Sequence, residues 1–105
     1  MNQLGAPGSG IEGEVIVRPL SPIERPGMIN YRPYQATVTV LDESGQIVTE
    51  FQSGANGHFQ VNLEPGTYVL RPESDQSRPW SRKQTVTVPE NKFICVRITY
   101  DSGIR

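Results

Sequence analysis

The chain has 105 residues, ten of them glycine and nine proline, and Val, Ile and Thr together number 25 against ten for Ala, Leu and Met. An interior proline costs a helix about 3 kcal/mol and a glycine about 1 kcal/mol relative to alanine, and the longest stretch free of both is 13 residues, Glu90 to Ser102. Helical bundles, coiled coils and doubly wound α/β domains are therefore excluded, and the β-branched surplus points to strands. Ten basic and eleven acidic residues leave a net charge of −1, which argues against a nucleic-acid partner.

Met1 to Gly10 is rich in glycine, proline and serine and reads as a flexible linker, without the basic and apolar regions of a signal peptide. The remaining residues, 11 to 105, suit one domain. No run of 18 apolar residues exists, so no membrane span is expected. The single cysteine, Cys95, forbids an internal disulfide.

Seven strands are predicted from period-two alternation between turn signals. The first covers Ile11 to Arg18, with Ile11, Gly13, Val15 and Val17 on one face and Glu12 and Glu14 on the other. The second covers Gln35 to Asp42 and alternates Ala36, Val38 and Val40 against Thr37 and Thr39. Glu43 to Gln46 is a hairpin turn with Gly45 at a positive-φ position. The third, Ile47 to Ser53, sets Ile47 and Phe51 on one face, and the fourth, His58 to Leu63, turns Phe59, Val61 and Leu63 inward. Pro65 and Gly66 suit a type II turn into the fifth strand, Thr67 to Arg71, which pairs Tyr68 with Leu70 on one face. The sixth, Lys83 to Val88, turns Val86 and Val88 inward; the seventh, Lys92 to Tyr100, does so with Ile94, Val96, Ile98 and Tyr100. Cys95 falls on the opposite face with Arg97 and Thr99.

Seven one-sided strands indicate two packed antiparallel sheets. The connections are uneven. Pro19 to Tyr34 and Pro72 to Arg82 are long, whereas the turns after Asp42, Leu63 and Val88 are tight. If successive strands run antiparallel, both long loops and the Gly54–Gly57 connection emerge at one end, which the C-terminus joins. The N-terminal segment then leaves from the other end.

Four segments carry a family pattern. Gly10-Ile11-Glu12-Gly13-Glu14-Val15, Ala36 to Asp42 followed by Gly45, Asn56-Gly57-His58-Phe59-Gln60-Val61 and Leu63 to Leu70 (L-x-P-G-x-Y-x-L) resemble carboxypeptidase regulatory-like domains. The resemblance implies an all-β, seven-stranded, antiparallel Greek-key sandwich of the prealbumin (transthyretin-like) type. It also implies a non-catalytic accessory domain of an exported or cell-surface protein, extracytoplasmic, with its leader outside this chain. These motif positions are turn glycines and inward apolar residues, so they speak for architecture rather than ligand. Related activities match poorly. The transthyretin-like hydrolases use several histidines, an arginine and a C-terminal Y-R-G-S, whereas this chain has only His58 and ends Tyr100-Asp101-Ser102-Gly103. A degenerate hydrolase is the remote alternative. The lysine and asparagine of the isopeptide-forming collagen-adhesin repeats are missing from the first and last strands, so no such crosslink is expected.

No cofactor or metal is expected. His58 is alone, Cys95 has no histidine nearby in sequence, and Asp42, Glu43 and Ser44 lack a calcium-loop spacing. The remaining signal lies in the long loops. Aromatic and arginine side chains are enriched at binding hot spots, and prolines lower the ordering cost of binding. The candidate contact residues are Tyr31, Arg32, Tyr34, Arg78, Trp80 and Arg82. Either a protein partner or a glycan stacked on Trp80 and the tyrosines fits them. Against this, Trp80 and Tyr34 could instead cap the open end of the core.

Overall fold

The computed structural model describes residues 8–23, 25–74 and 79–104. The described residues form eight strands: β1 Gly10–Arg18, β2 Arg32–Pro33, β3 Thr37–Leu41, β4 Ile47–Gln52, β5 His58–Asn62, β6 Gly66–Pro72, β7 Gln84–Val88 and β8 Phe93–Asp101. The described residues contain no helix. Seven strands are those expected, with ends shifted by at most two residues. The eighth, β2, is a two-residue strand inside the first long loop, and it pairs with the end of β1 through Ile16–Pro33 and Val17–Arg32.

Two four-stranded sheets form the sandwich. In one, β1 is central. It pairs antiparallel with β5 over Gly10 to Glu14 and with β2 beyond that, and parallel with β8 along its whole length. The other runs β4–β3–β6–β7, antiparallel throughout. The sandwich is thus antiparallel except where its first and last long strands lie side by side in the same direction. Alternation cannot reveal that pairing, because both strands would show the same apolar period in either direction.

Period two delivers the core as the sequence foretells. Ile11, Val15, Val17, Val38, Val40, Leu70, Val88, Val96, Ile98 and Tyr100 are buried in one cluster, joined by Phe59, Leu63, Tyr68 and Val86. Phe51 packs against this cluster beside Phe59, with ring centroids 4.8 Å apart. Ile47 departs from expectation. It shares the parity of Phe51 but lies at the strand's start beside a register shift between Val40 and Leu41, and it is 65% exposed.

The tight turns are locally determined. Asp42 accepts from the Ser44 and Gln46 amides and from the Ser44 hydroxyl, and Gly45 takes φ 89°. This leaves the Asp42 carboxylate occupied by its own turn, and the Ser44 hydroxyl is the chief cause of its lowered pKa. The Pro65–Gly66 corner is not a type II turn. Gly66 is extended (φ 156°) and opens β6, while the Tyr68 hydroxyl reaches back to donate to the Glu64 carbonyl at 2.6 Å.

Met1 to Pro7 lie outside the described residues. The last part of the expected linker does not behave as one. Ser9 is buried, exchanges bonds with Leu63 through its hydroxyl and carbonyl, and hands the chain to β1 at Gly10. The parallel pair then needs glycine at position 13. A Cβ there would sit 1.7 Å from the Val96 carbonyl oxygen.

Candidate functional site

The strand directions bring both long loops, the Gly54–Gly57 connection and the C-terminus to one end, as expected. The loop after β1 is held by one side chain. Asn30 is buried, and its Oδ1 accepts from the Leu20 and Ser21 amides at 2.9 Å each. Its Nδ2 donates to the Ser21 carbonyl, and its own carbonyl accepts from the Leu20 amide. Asparagine supplies the acceptor and donor that close the loop base without a regular ladder. The C-terminal segment secures the same base, since Ser102 donates its amide to Arg18 and its hydroxyl to the Pro19 carbonyl.

Under the loops, two tyrosines seal the core. Tyr34 is half-buried against Tyr100, with centroids 4.9 Å apart. The Tyr100 hydroxyl donates to the Glu73 carbonyl at 2.6 Å. Burial first, and then the neighbouring Tyr34 and Glu73, push the Tyr100 pKa well up, so it remains a donor. The Glu73 carboxylate accepts from the Thr39 hydroxyl at 2.6 Å and from Arg71 at 2.9 Å. The Thr39 bond is the main reason its pKa is lowered.

The candidate contact residues divide accordingly. Tyr34 is part of the seal. Arg78 lies outside the described residues. Tyr31, Arg32, Trp80 and Arg82 are exposed, Tyr31 by 42% and Trp80 by 38%. Trp80 is tied in by its backbone, which exchanges both bonds with Asp101. Trp80 and Arg82, with Ser81, Lys83 and Gln84, form one wall of an open trough of about 490 Å³ whose other wall is Arg97, Thr99 and Asp101 of β8. Tyr31 joins through Arg97, whose guanidinium carbon lies 5.9 Å from the Tyr31 ring centroid. The same guanidinium is paired with Glu14 at 2.6 Å. Arg97 therefore stands between Tyr31 of the first loop and the trough that the second loop borders.

Two features escaped the sequence reading. Arg97 was legible only as an outward residue, because its role depends on β8 lying next to β1. The first loop also exposes aliphatic side chains: Ile29 is 74% and Ile23 57% exposed, with Leu20 and Met28 less so. Their sequence signal was present but looks identical to that of buried loop residues.

The groups with reactive chemistry meet on the outer face of the β8–β1–β5 sheet. Glu14 is opposite both Arg97 and His58, and Glu12 is opposite Cys95. Glu12, Glu14, His58, Cys95 and Arg97 line one shallow notch over Gly13. His58 and Cys95 nevertheless sit on strands either side of β1, about 10 Å apart at ordinary strand spacing. A nucleophile and its base need hydrogen-bond reach. The Glu14 carboxylate is already engaged by Arg97. Among the described residues, no group of three or more His, Cys, Asp or Glu is placed to hold a metal ion. No helix there is long and apolar enough to cross a membrane.

Two sheets in this strand order, with the first and last long strands parallel, define a prealbumin-like β-sandwich. The chain belongs to the carboxypeptidase regulatory-like domain family, whose model matches residues 33–99. The match starts inside β2, so Tyr31 and the clamped loop before it lie outside the matched region. Among solved structures, GBS52, the minor pilin of the gram-positive pathogen Streptococcus agalactiae, is similar, with a TM-score of 0.66 and 14% identity over 95% of this chain and 46% of its own. The Bacillus anthracis TIE protein is similar at TM-score 0.60 and 16% identity over 88% of this chain and 17% of its own. At these identities the likeness concerns the fold alone, and this chain spans less than half of either protein. No curated protein matches the chain.

Proposed function

We propose that this domain is a non-catalytic binding module of an exported, cell-envelope protein, and that it engages a protein partner with its long-loop end. The observation that carries this reading is the continuity of Tyr31, Arg97, Trp80 and Arg82 around the end of β8. Aromatic and arginine side chains of this kind are the usual anchors of protein interfaces. Arg32 borders the same end beside Val17, and Arg78 remains a candidate from its place in the second long loop. Tyr34 serves from beneath, holding the rim in place. Proline and the Asn30 clamp reduce what must be ordered on binding, which favours affinity. The family and the similarity to a minor pilin support an accessory role at the cell envelope. A carbohydrate ligand is the second reading, favoured by the exposed Trp80 indole beside Ser81, Thr99 and Asp101.

A photo-reactive residue in place of Arg82, compared with one in place of Glu43 at the opposite end, tests the protein reading. The expected result is adduct formation in envelope fractions from position 82 only, lost in Trp80→Ala chains that retain their fold. Equal labelling from both positions overturns it. A glycan array that gives Trp80-dependent binding replaces it with the carbohydrate reading.

A further inference from the structure

Among the described residues, the hydrogen-bond phase of β8 leaves one edge of its sheet unpaired. Gly10 donates its amide to the Lys92 carbonyl, and Ser102 donates to the Arg18 carbonyl. In a parallel ladder the bonding residues alternate, so Lys92, Ile94, Val96, Ile98 and Tyr100 turn their backbone groups toward β1. Phe93, Cys95, Arg97, Thr99 and Asp101 turn theirs the other way. Asp101 confirms the phase, because it exchanges both bonds with Trp80 on that side. Below it, the amides and carbonyls of Phe93, Cys95, Arg97 and Thr99 have no backbone partner among the described residues.

Natural sheets protect such edges with short strands, prolines, bulges or charges aimed across the edge. The other edges comply in part: β5 and β7 have five residues each, and β4 has six beside a register shift. In contrast, β8 has nine, no proline and an unbroken register with β1. Its one central charge, Arg97, is drawn over the sheet face toward Glu14 and Tyr31 rather than across the edge. Beside the edge runs the trough, with Trp80 closing one end and Arg82 and Lys83 exposed on the far wall.

We infer that β8 accepts an extended segment of a partner protein as an added strand, and that this segment alternates acidic with apolar side chains. The inference rests on the reading of the long-loop end as a docking face and names the partner's chemistry there. Backbone bonding supplies affinity and alternate side chains supply specificity in strand addition. The inward side chains of the added strand continue the apolar face of Ile94, Val96 and Ile98, and the acidic ones meet Arg82, Lys83 and Arg97. A second copy of this chain fits less well. Twofold pairing about Val96 brings Lys92 of each copy to the cationic wall of the other, which adds repulsion.

The probe is a seven-residue peptide alternating valine and glutamate, compared with its lysine counterpart, with affinity and amide exchange measured by NMR on the intact chain. The glutamate peptide is expected to bind about tenfold or more tighter than the lysine peptide, less so as salt rises, and to slow exchange at Phe93, Cys95, Arg97 and Thr99. Thr99→Pro removes one edge amide and no β1–β8 bond, so it is expected to fold and to weaken the peptide by about tenfold or more. Cys95→Pro is the second variant, with the same expectation. Equal binding of both peptides, unslowed edge amides, or full binding by folded proline variants overturns strand addition. Edge protection in a peptide-free dimer also overturns it, in favour of self-pairing. If strand addition fails while Trp80→Ala still abolishes crosslinking from position 82, the docking face stands without it. If that crosslink fails as well, both readings fall.

Discussion

The two ends of the sandwich are made from the same punctuation residues and are built on different principles. At the tight-turn end each bend is closed within a few residues: Asp42 caps its own turn, Tyr68 bonds Glu64, and Asn91 takes φ 57° between β7 and β8. At the long-loop end the Gly54–Gly57 connection closes on itself through the Gly57 and Gly54 amides, but all three connections are also tied to residues distant in sequence. Ser102 holds Pro19, Tyr100 holds Glu73, and the Gly57 carbonyl accepts from the Val15 amide at 2.7 Å. Local closure leaves little surface free for anything else. Distant closure fixes loop bases while their tips stay exposed, which suits binding.

Two glycines give the sharpest way to break this contrast. Gly57 and Gly45 have nearly the same φ, 82° and 89°. A Cβ at Gly57 would lie 2.6 Å from the Val15 carbonyl oxygen, whereas one at Gly45 meets nothing within 4 Å. Gly57→Ala is therefore expected to cost about 3 kcal/mol or more in chemical denaturation, from backbone strain plus a displaced strand. Next comes Asn30→Ala, at about 2 kcal/mol, because the Leu20 and Ser21 amides lose their shared acceptor. Limited proteolysis between Leu20 and Tyr31 should speed up in the same variant. Gly45→Ala should cost only about 1 kcal/mol, the conformational term alone. A Gly45 variant as damaging as the Gly57 one would erase the distinction between the ends.

The Glu73 carboxylate gives a smaller, pH-dependent effect. Its pKa is held below the ordinary 4.5 in the folded state by Thr39 and then Arg71. The unfolded chain therefore binds the proton more readily. The Glu73 contribution is present above pH 4.5 and disappears as pH falls through the lowered value. Glu73→Gln should flatten that part of the acid-unfolding curve while leaving the slope of Asp42, at the other end, untouched. The smallest effect belongs to Arg82→Ala. Its side chain is exposed, so stability should change by less than about 0.5 kcal/mol in a thermal melt while affinity for the valine–glutamate peptide falls.

Much of the fold was legible because its signals are local. A period of two marks the inward residues of a strand whatever it pairs with, and Gly45 marks its turn by residue type alone. Errors fell where a neighbour decides the outcome. Ile47 keeps its parity but lies beyond the core, Gly66 has the sequence of a corner but opens a strand, and Ser9 has the sequence of a linker but is pinned by Leu63. For the candidate site, the sequence identified Tyr31, Arg32, Trp80 and Arg82 as loop residues at one end. The alternative that Tyr34 and Trp80 cap the core holds for Tyr34 and not for Trp80, which is 38% exposed, and the sequence could not separate the two because a half-buried and an exposed aromatic are written alike.

The β-branched alternation and the placement of proline and glycine by themselves determined an all-β sandwich with two classes of connection, since propensity and turn chemistry act within a few residues. The tertiary structure alone decided that β1 and β8 run parallel, that Arg97 stands between Tyr31 and the trough, and which backbone groups of β8 have no partner among the described residues. Strand neighbours and hydrogen-bond phase are relations between distant segments, and alternation is the same whichever partner a strand takes.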